Sequence, residues 1–172
     1  MTPPAGHHLA EFNFGRLRHD WDDPRLADFV AGLEVVYRIA ESSPGYGWRL
    51  TDEGPAAQPS PEAGNDRLAS TLSVWQDAAS LGHFVWNTLH RQFLTRKAEW
   101  YDAAGNGNLV LWSVLIGHRP SVSEGMQRRH MLMSNGDSPL AFGWTYLTME
   151  SERFIQFDPT AEMTDGATNP PD

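Results

Sequence analysis

The sequence predicts an α+β fold: a ferredoxin-like β-α-β-β-α-β sheet with an extra C-terminal helix and strand, two copies pairing as a dimeric α+β barrel. Three observations carry this expectation. Strand-like alternation at His8–Leu17 and Leu68–Trp75 is interleaved with two long segments of helical apolar period. The order of these segments is that of a split βαβ unit. Finally, the sheet face not packed by the two main helices still carries Trp75, Trp112 and mixed polar groups, and a second copy would bury it.

Each element has its own justification. In His8–Leu17, Ala10, Phe12 and Phe14 point one way and Glu11, Asn13 and Gly15 the other, because side chains alternate along a strand. Asp23 caps a helix that opens with Pro24, and Leu26, Phe29, Val30, Leu33, Val36, Tyr37 and Ala40 form its stripe. Ser42-Ser43-Pro44-Gly45 ends it, and a short strand, Tyr46–Thr51, follows. Residues 52–66, rich in Pro, Gly, Ala and acid, read as plain surface loop, with a lid as the alternative. In Leu68–Trp75, Leu68, Leu72 and Val74 share one face and Thr71, Ser73 and Trp75 the other. A second helix runs from Ala78 to Tyr101 on the stripe Leu81, Val85, Leu89, Phe93 and Trp100, with Trp86 on its shoulder. After a Gly/Asn turn at 103–108, Leu109–Ile116 is apolar on both faces, as in a central strand. Ser121-x-x-Glu124 is a capping box, opening a third helix that ends near Asn135-Gly136. Phe142–Leu147 reads as a last strand. The domain spans 8–157, and 158–172 reads as a disordered tail.

Bulk composition narrows the function. A chain of 172 residues is one domain by size, and its seven Trp, eight Phe and four Tyr make a bulky aromatic interior. A net charge of −9 argues against a nucleic-acid partner, which needs a basic footprint. No apolar run approaches the ~20 residues that span a bilayer, so no membrane partner is expected. The first residues lack the charged and apolar regions of a signal peptide, so a cytoplasmic domain is the expectation. The absence of cysteine removes thiol nucleophiles, disulfides and Cys-ligated metal. No dinucleotide, Walker, nucleophile-elbow or zinc-protease motif appears, which points away from nucleotide-dependent and triad chemistry.

Several blocks together carry a family resemblance. HLAEFNFGRLR, DDPRLADFVAGLE, ESSPGYGWRL, SVW, the spaced set His90, Leu94, Arg96, Glu99 and Trp100, LVLW, GHRPSVSEG and GDSPLAFGW resemble domain-of-unknown-function family 3291 over His8–Tyr146. That family resembles a branch of the dimeric α+β-barrel superfamily, which includes antibiotic-biosynthesis monooxygenases, EthD-like proteins and haem-degrading monooxygenases. The resemblance implies fold and dimerisation more strongly than reaction, because one fold hosts many chemistries.

His90 is the leading catalytic candidate. On an unbroken helix it lies in line with His83, about 10 Å along the axis, too far for both to hold one metal, and no metal site is expected. A half-buried imidazole beside aromatic walls can act as a base; the plainer reading is a border histidine bonded to a backbone carbonyl. Asn13 and Arg49 are candidates to hold a developing oxyanion, against a polar rung and an edge-strand arginine. Arg49 could instead pair with Glu11. Glu11, Ser73, Trp75, Trp86, Trp112, Trp144 and Tyr146 are the pocket candidates, with Ser113 and Trp48 beside them; a Trp here is more often core. Arg96 and Glu99 read as a surface ion pair.

The expected function is a cofactor-independent, monooxygenase-like or cyclase/dehydratase-type enzyme of secondary metabolism. It would deprotonate a hydrophobic aromatic or polyketide-like small molecule through His90. Two alternatives stay open. The resemblance implies a haem-binding protein using Asn13, Trp75 and His83 or His90. A non-catalytic small-molecule-binding dimer is the other.

Overall fold

The computed structural model describes residues 3–51, 67–102 and 109–147; the 52–66 loop, the 103–108 turn and the expected tail lie outside the described residues. Four strands, β1 (His7–Arg16), β2 (Tyr46–Arg49), β3 (Leu68–Trp75) and β4 (Leu109–Leu115), form one antiparallel sheet in the order β2-β3-β1-β4. A 3-10 turn, Pro24–Leu26, leads into α1 (Ala27–Ser42); α2 (Ala78–Asn87), α3 (His90–Trp100) and α4 (Val122–Asn135) follow. The architecture is α+β.

Local chemistry sets most boundaries. Asp23 accepts the Arg25 N–H ahead of α1, Asp77 accepts the Ser80 N–H ahead of α2, and Ser121 accepts the Glu124 N–H ahead of α4. Gly136 closes α4 at a φ of 74°, the left-handed region that favours glycine.

The long second helix is two helices. Thr88 takes extended backbone (φ −117°, ψ −177°), its Oγ1 donates to the Phe84 carbonyl at 2.6 Å, and the same oxygen accepts the His90 N–H at 3.2 Å. A hydroxyl that bonds the preceding turn competes with the helical ladder and can end it. His90 is therefore the first residue of α3, and the straight-helix alignment of His83 with His90 does not hold. His83 is exposed beside Asn87.

The two sheet faces are assigned opposite to expectation. Ala10, Phe12, Leu72, Val74, Val110, Trp112 and Val114 make an apolar face, packed by Val122, Met126 and Leu132 of α4. The mixed face, with Glu11, Asn13, Thr71, Ser73 and Trp75, turns toward α1, α2 and α3. Trp75 thus belongs to the helix-packed face and Trp112 to the other, where its indole N–H donates to Glu124 at 2.9 Å. The face that argued for a second copy is covered by α4 of the same chain. That burial no longer requires a partner.

The docking of α4 is close. A Cβ on Gly125 would stand 2.6 Å from the Phe12 ring. Gly125→Ala is expected to destabilise the fold by about 1–3 kcal/mol through overpacking, read as a lower urea midpoint with an unchanged slope.

Two further expectations change at the sheet edge. β4 is an edge strand, not a central one, and it is apolar on both faces because helices cover both. On its outer side, among the described residues, Phe142 alone bridges it, exchanging bonds of 2.8 and 2.9 Å with Leu111, and residues 144–147 turn helical instead of extending a strand.

Candidate active-site cavity

A cavity of about 250 Å³ lies between the mixed sheet face and the helices. β1 and β3 supply its floor. Their register sets Glu11 opposite Ser73 and Asn13 opposite Thr71. Alternation along each strand turns all four, with Trp75, to one side. α1 contributes Val36, Tyr37 and Ala40; α2 and α3 contribute Leu81, Phe84, His90, Leu94 and Lys97.

The floor carries a directed chain of hydrogen bonds. The Trp75 indole N–H donates to Ser73 Oγ at 2.9 Å, and the Ser73 hydroxyl donates to Glu11 Oε2, also at 2.9 Å. With one side of its oxygen occupied by the indole N–H, the Ser73 hydroxyl is left to donate toward Glu11. Removal from water pushes the Glu11 carboxyl up to about 7, and the Ser73 bond pulls the other way with less effect. A carboxyl poised near neutrality can both take and return a proton.

His90 faces the same space. Its Nδ1 lies 3.4 Å from the Val85 carbonyl, a long contact in which only the ring N–H can donate, so Nε2 is left as the acceptor. Its ring tilts against Phe84 at 4.7 Å. Burial holds its pKa below the usual histidine value, opposed weakly by the Val85 bond. Burial thus favours the neutral imidazole, and the ring combines the cavity-wall position with the carbonyl partner of the plainer reading.

Arg49 lines the cavity but is committed to Glu41 at 2.7 Å, not to Glu11, and its guanidinium stands 4.4 Å above the Tyr37 ring. Trp86 and Trp144, 6.4 Å apart, complete the wall with Trp75. The remaining pocket candidates lie elsewhere. Trp112 and Trp48 belong to the α4-side cluster, and Tyr146 stacks on Phe142 at 5.1 Å. Ser113 pairs with Leu9 on the cavity side of the sheet but does not line the cavity. Arg96 and Glu99 form the expected surface pair at 2.8 Å, joined by Asp28.

Two lining residues escaped the sequence reading. Lys97 stands seven residues after His90, two helical turns on, so the same wheel that selected His90 could have found it. Tyr37 was visible only as one more stripe residue, yet its hydroxyl is buried without a hydrogen-bond partner, and burial pushes it up to about 12.

The haem alternative can be tested on the same geometry. Asn13, Trp75 and His90 share the cavity, whereas His83 lies outside it. The cavity falls below the ~300–1,000 Å³ range of common ligand sites. A haem macrocycle with its propionates exceeds it, and the Trp75 indole is already bonded to Ser73. The residues as placed do not fit haem. Among the described residues no cluster of three or more His, Asp or Glu side chains could hold a metal ion.

Fold and cavity together define an α+β domain with a largely apolar cavity into which Glu11 and His90 face. The chain belongs to the family described as Domain of unknown function (DUF3291), whose model matches residues 8–156. It is similar to a solved structure, the NE2512 protein of unknown function from Nitrosomonas europaea, with 14% identity, 67% of this chain and 97% of that chain covered, and a TM-score of 0.44. A search of the curated proteins finds no match. Among the described residues no helix is long and apolar enough to cross a membrane.

Proposed function

We propose that this protein is an acid–base enzyme that works on a small, largely apolar carbonyl compound, with Glu11 as the proton-transfer group. The observation that carries the reading is the Glu11 carboxyl on the floor of an apolar cavity, oriented by Ser73 and titrating near neutrality. The Glu11 carboxylate takes a proton from an acidic C–H beside a carbonyl. The C–H electron pair moves onto the carbonyl oxygen to give an enolate, and the Glu11 acid returns the proton. Neutral His90, with Nε2 free to accept, holds a substrate hydroxyl or N–H. The proposal thereby moves the base from His90 to Glu11. An enolate is a starting point for the oxygenation, cyclisation and dehydration chemistries expected from the sequence.

The strand order and the helical crossings support a ferredoxin-like reading of the sheet, and with it kinship to the barrel superfamily. Dimer formation and a cytoplasmic setting stand as parts of the same proposal.

The test is hydrogen–deuterium exchange into a panel of aryl ketones and 1,3-dicarbonyl compounds, followed by NMR in D₂O. The parent protein is expected to accelerate exchange for at least one compound, and no acceleration across the panel would overturn the reading. His90→Gln is expected to slow exchange by about tenfold, the worth of one hydrogen bond in a desolvated site. Loss as large as that from Glu11→Gln would return the base assignment to His90.

A further inference from the structure

A second, smaller cavity of about 110 Å³ adjoins the first, and the two share Asn13, Val36, Tyr37, Thr71, His90, Leu94 and Lys97. The larger compartment alone holds Glu11, Ser73, Trp75, Leu81 and Phe84. The smaller alone holds the aromatic rings of Phe29, Phe93, Trp100 and Tyr101. The junction joins the two compartments, and three of its polar side chains, Lys97, Asn13 and Tyr37, lack hydrogen-bond partners among the described residues.

Among the described residues, the Lys97 ammonium makes no ion pair and no hydrogen bond, and Asn13 makes no side-chain hydrogen bond. The ammonium stands 5.8 Å from the centroid of the Tyr101 ring. The Tyr37 hydroxyl in the shared wall is buried and unsatisfied. A half-buried cation with no carboxylate beside it is costly to keep, and so is an unpaired hydroxyl. Arg49, the other lining cation, is already offset by Glu41. One ligand chemistry answers all three vacant groups: an oxyanion, with an apolar body beside it.

We propose that the cavity selects small apolar carboxylic acids, with the carboxylate at the junction on Lys97 and Asn13 and the apolar body against Trp75, Leu81 and Phe84. This rests on reading the cavity as a substrate site, and it names the class of that substrate. Glu11 stands in the same compartment as the body, so the charged end is anchored away from the group that moves protons. Desolvation lowers the Lys97 pKa, and an incoming carboxylate reverses that by supplying the missing counter-charge.

The experiment compares three probes of one shape: 3-phenylpropanoate, 3-phenylpropanamide and 3-phenylpropan-1-ol, titrated calorimetrically at pH 7.5. The carboxylate is expected to bind about tenfold more tightly than either neutral probe, as a charge-assisted bond in a desolvated site should give. Lys97→Met is expected to remove that preference while keeping amide affinity within about twofold, and Lys97→Arg to keep it. Thermal melts of both variants check that each is folded. Equal binding of the three probes, no binding of any, or a preference that survives Lys97→Met would overturn the proposal. The parent protein's own exchange activity separates it from the acid–base reading: a carboxylate preference in a parent that exchanges none of the carbonyl compounds upholds the binding site and sinks the enzyme, while exchange without a carboxylate preference does the reverse.

Discussion

Glu11→Gln is expected to abolish proton transfer and, above neutral pH, to make the protein more stable. The substitution keeps shape and leaves an amide oxygen to accept from Ser73, but it removes the titrating proton. Loss of a positioned acid–base group costs about 10²–10⁴-fold in rate, to be read in the deuterium-exchange assay. The stability effect follows from linkage. The Glu11 pKa is raised on folding from 4.5 to about 7, so between those values the folded state binds more protons than the unfolded one. Stability contributed by this group is complete below about pH 4.5 and declines as pH rises toward 7. Above that it stays lost. The full shift is discounted because Glu11 is only partly buried, leaving a penalty of about 2–3 kcal/mol at pH 8. Glu11→Gln relieves it. Urea denaturation at pH 8 is expected to favour the variant by that amount, and the difference should vanish near pH 4.5. A parent and variant equally stable at both pH values would show that the carboxyl is well solvated.

Trp75→Ala is expected to cost about 3–5 kcal/mol, as for other buried aromatic deletions. Trp75 is 1% exposed, stacks on Phe84 at 5.1 Å and meets Tyr46 edge-on at 5.5 Å. Its loss opens a void where β3 meets α2 and removes the donor that fixes the Ser73 hydroxyl. Trp75→Phe separates the two contributions. The ring restores most of the packing, but Ser73 is freed to turn its hydrogen away from Glu11. Trp75→Ala should lower the urea midpoint sharply and Trp75→Phe only modestly. A carbon-13 titration of labelled Glu11 should move upward in Trp75→Phe, because the Ser73 bond that favours the carboxylate is weakened.

The parts of this fold legible in the sequence are those fixed by local chemistry. Asp23 with Pro24, Ser121 with Glu124, and Gly136 mark helix ends where the caps are found. Strand β3 runs from Leu68 to Trp75 as the alternation predicts. What escaped depended on long-range partners. Period-two alternation separates Glu11 from Phe12 but does not say which face meets which helices; the apolar face went to α4, a third layer the simple pattern does not assign. The break at Thr88 carries no Gly or Pro and turns on one hydroxyl. At the site, Glu11, Asn13, Ser73 and Trp75 were legible as a single face because strand geometry groups them. The rank of Glu11 over His90 was not, since desolvation depends on what surrounds a carboxyl in space.

The covering of the sheet by α4 has a corollary for truncation. A chain cut before Ser121 would bare Ala10, Phe12, Leu72, Val74, Val110 and Trp112 together, and a contiguous apolar patch of that kind invites aggregation. Helix α4 is thus the cover of a layer on which the cavity floor rests from behind.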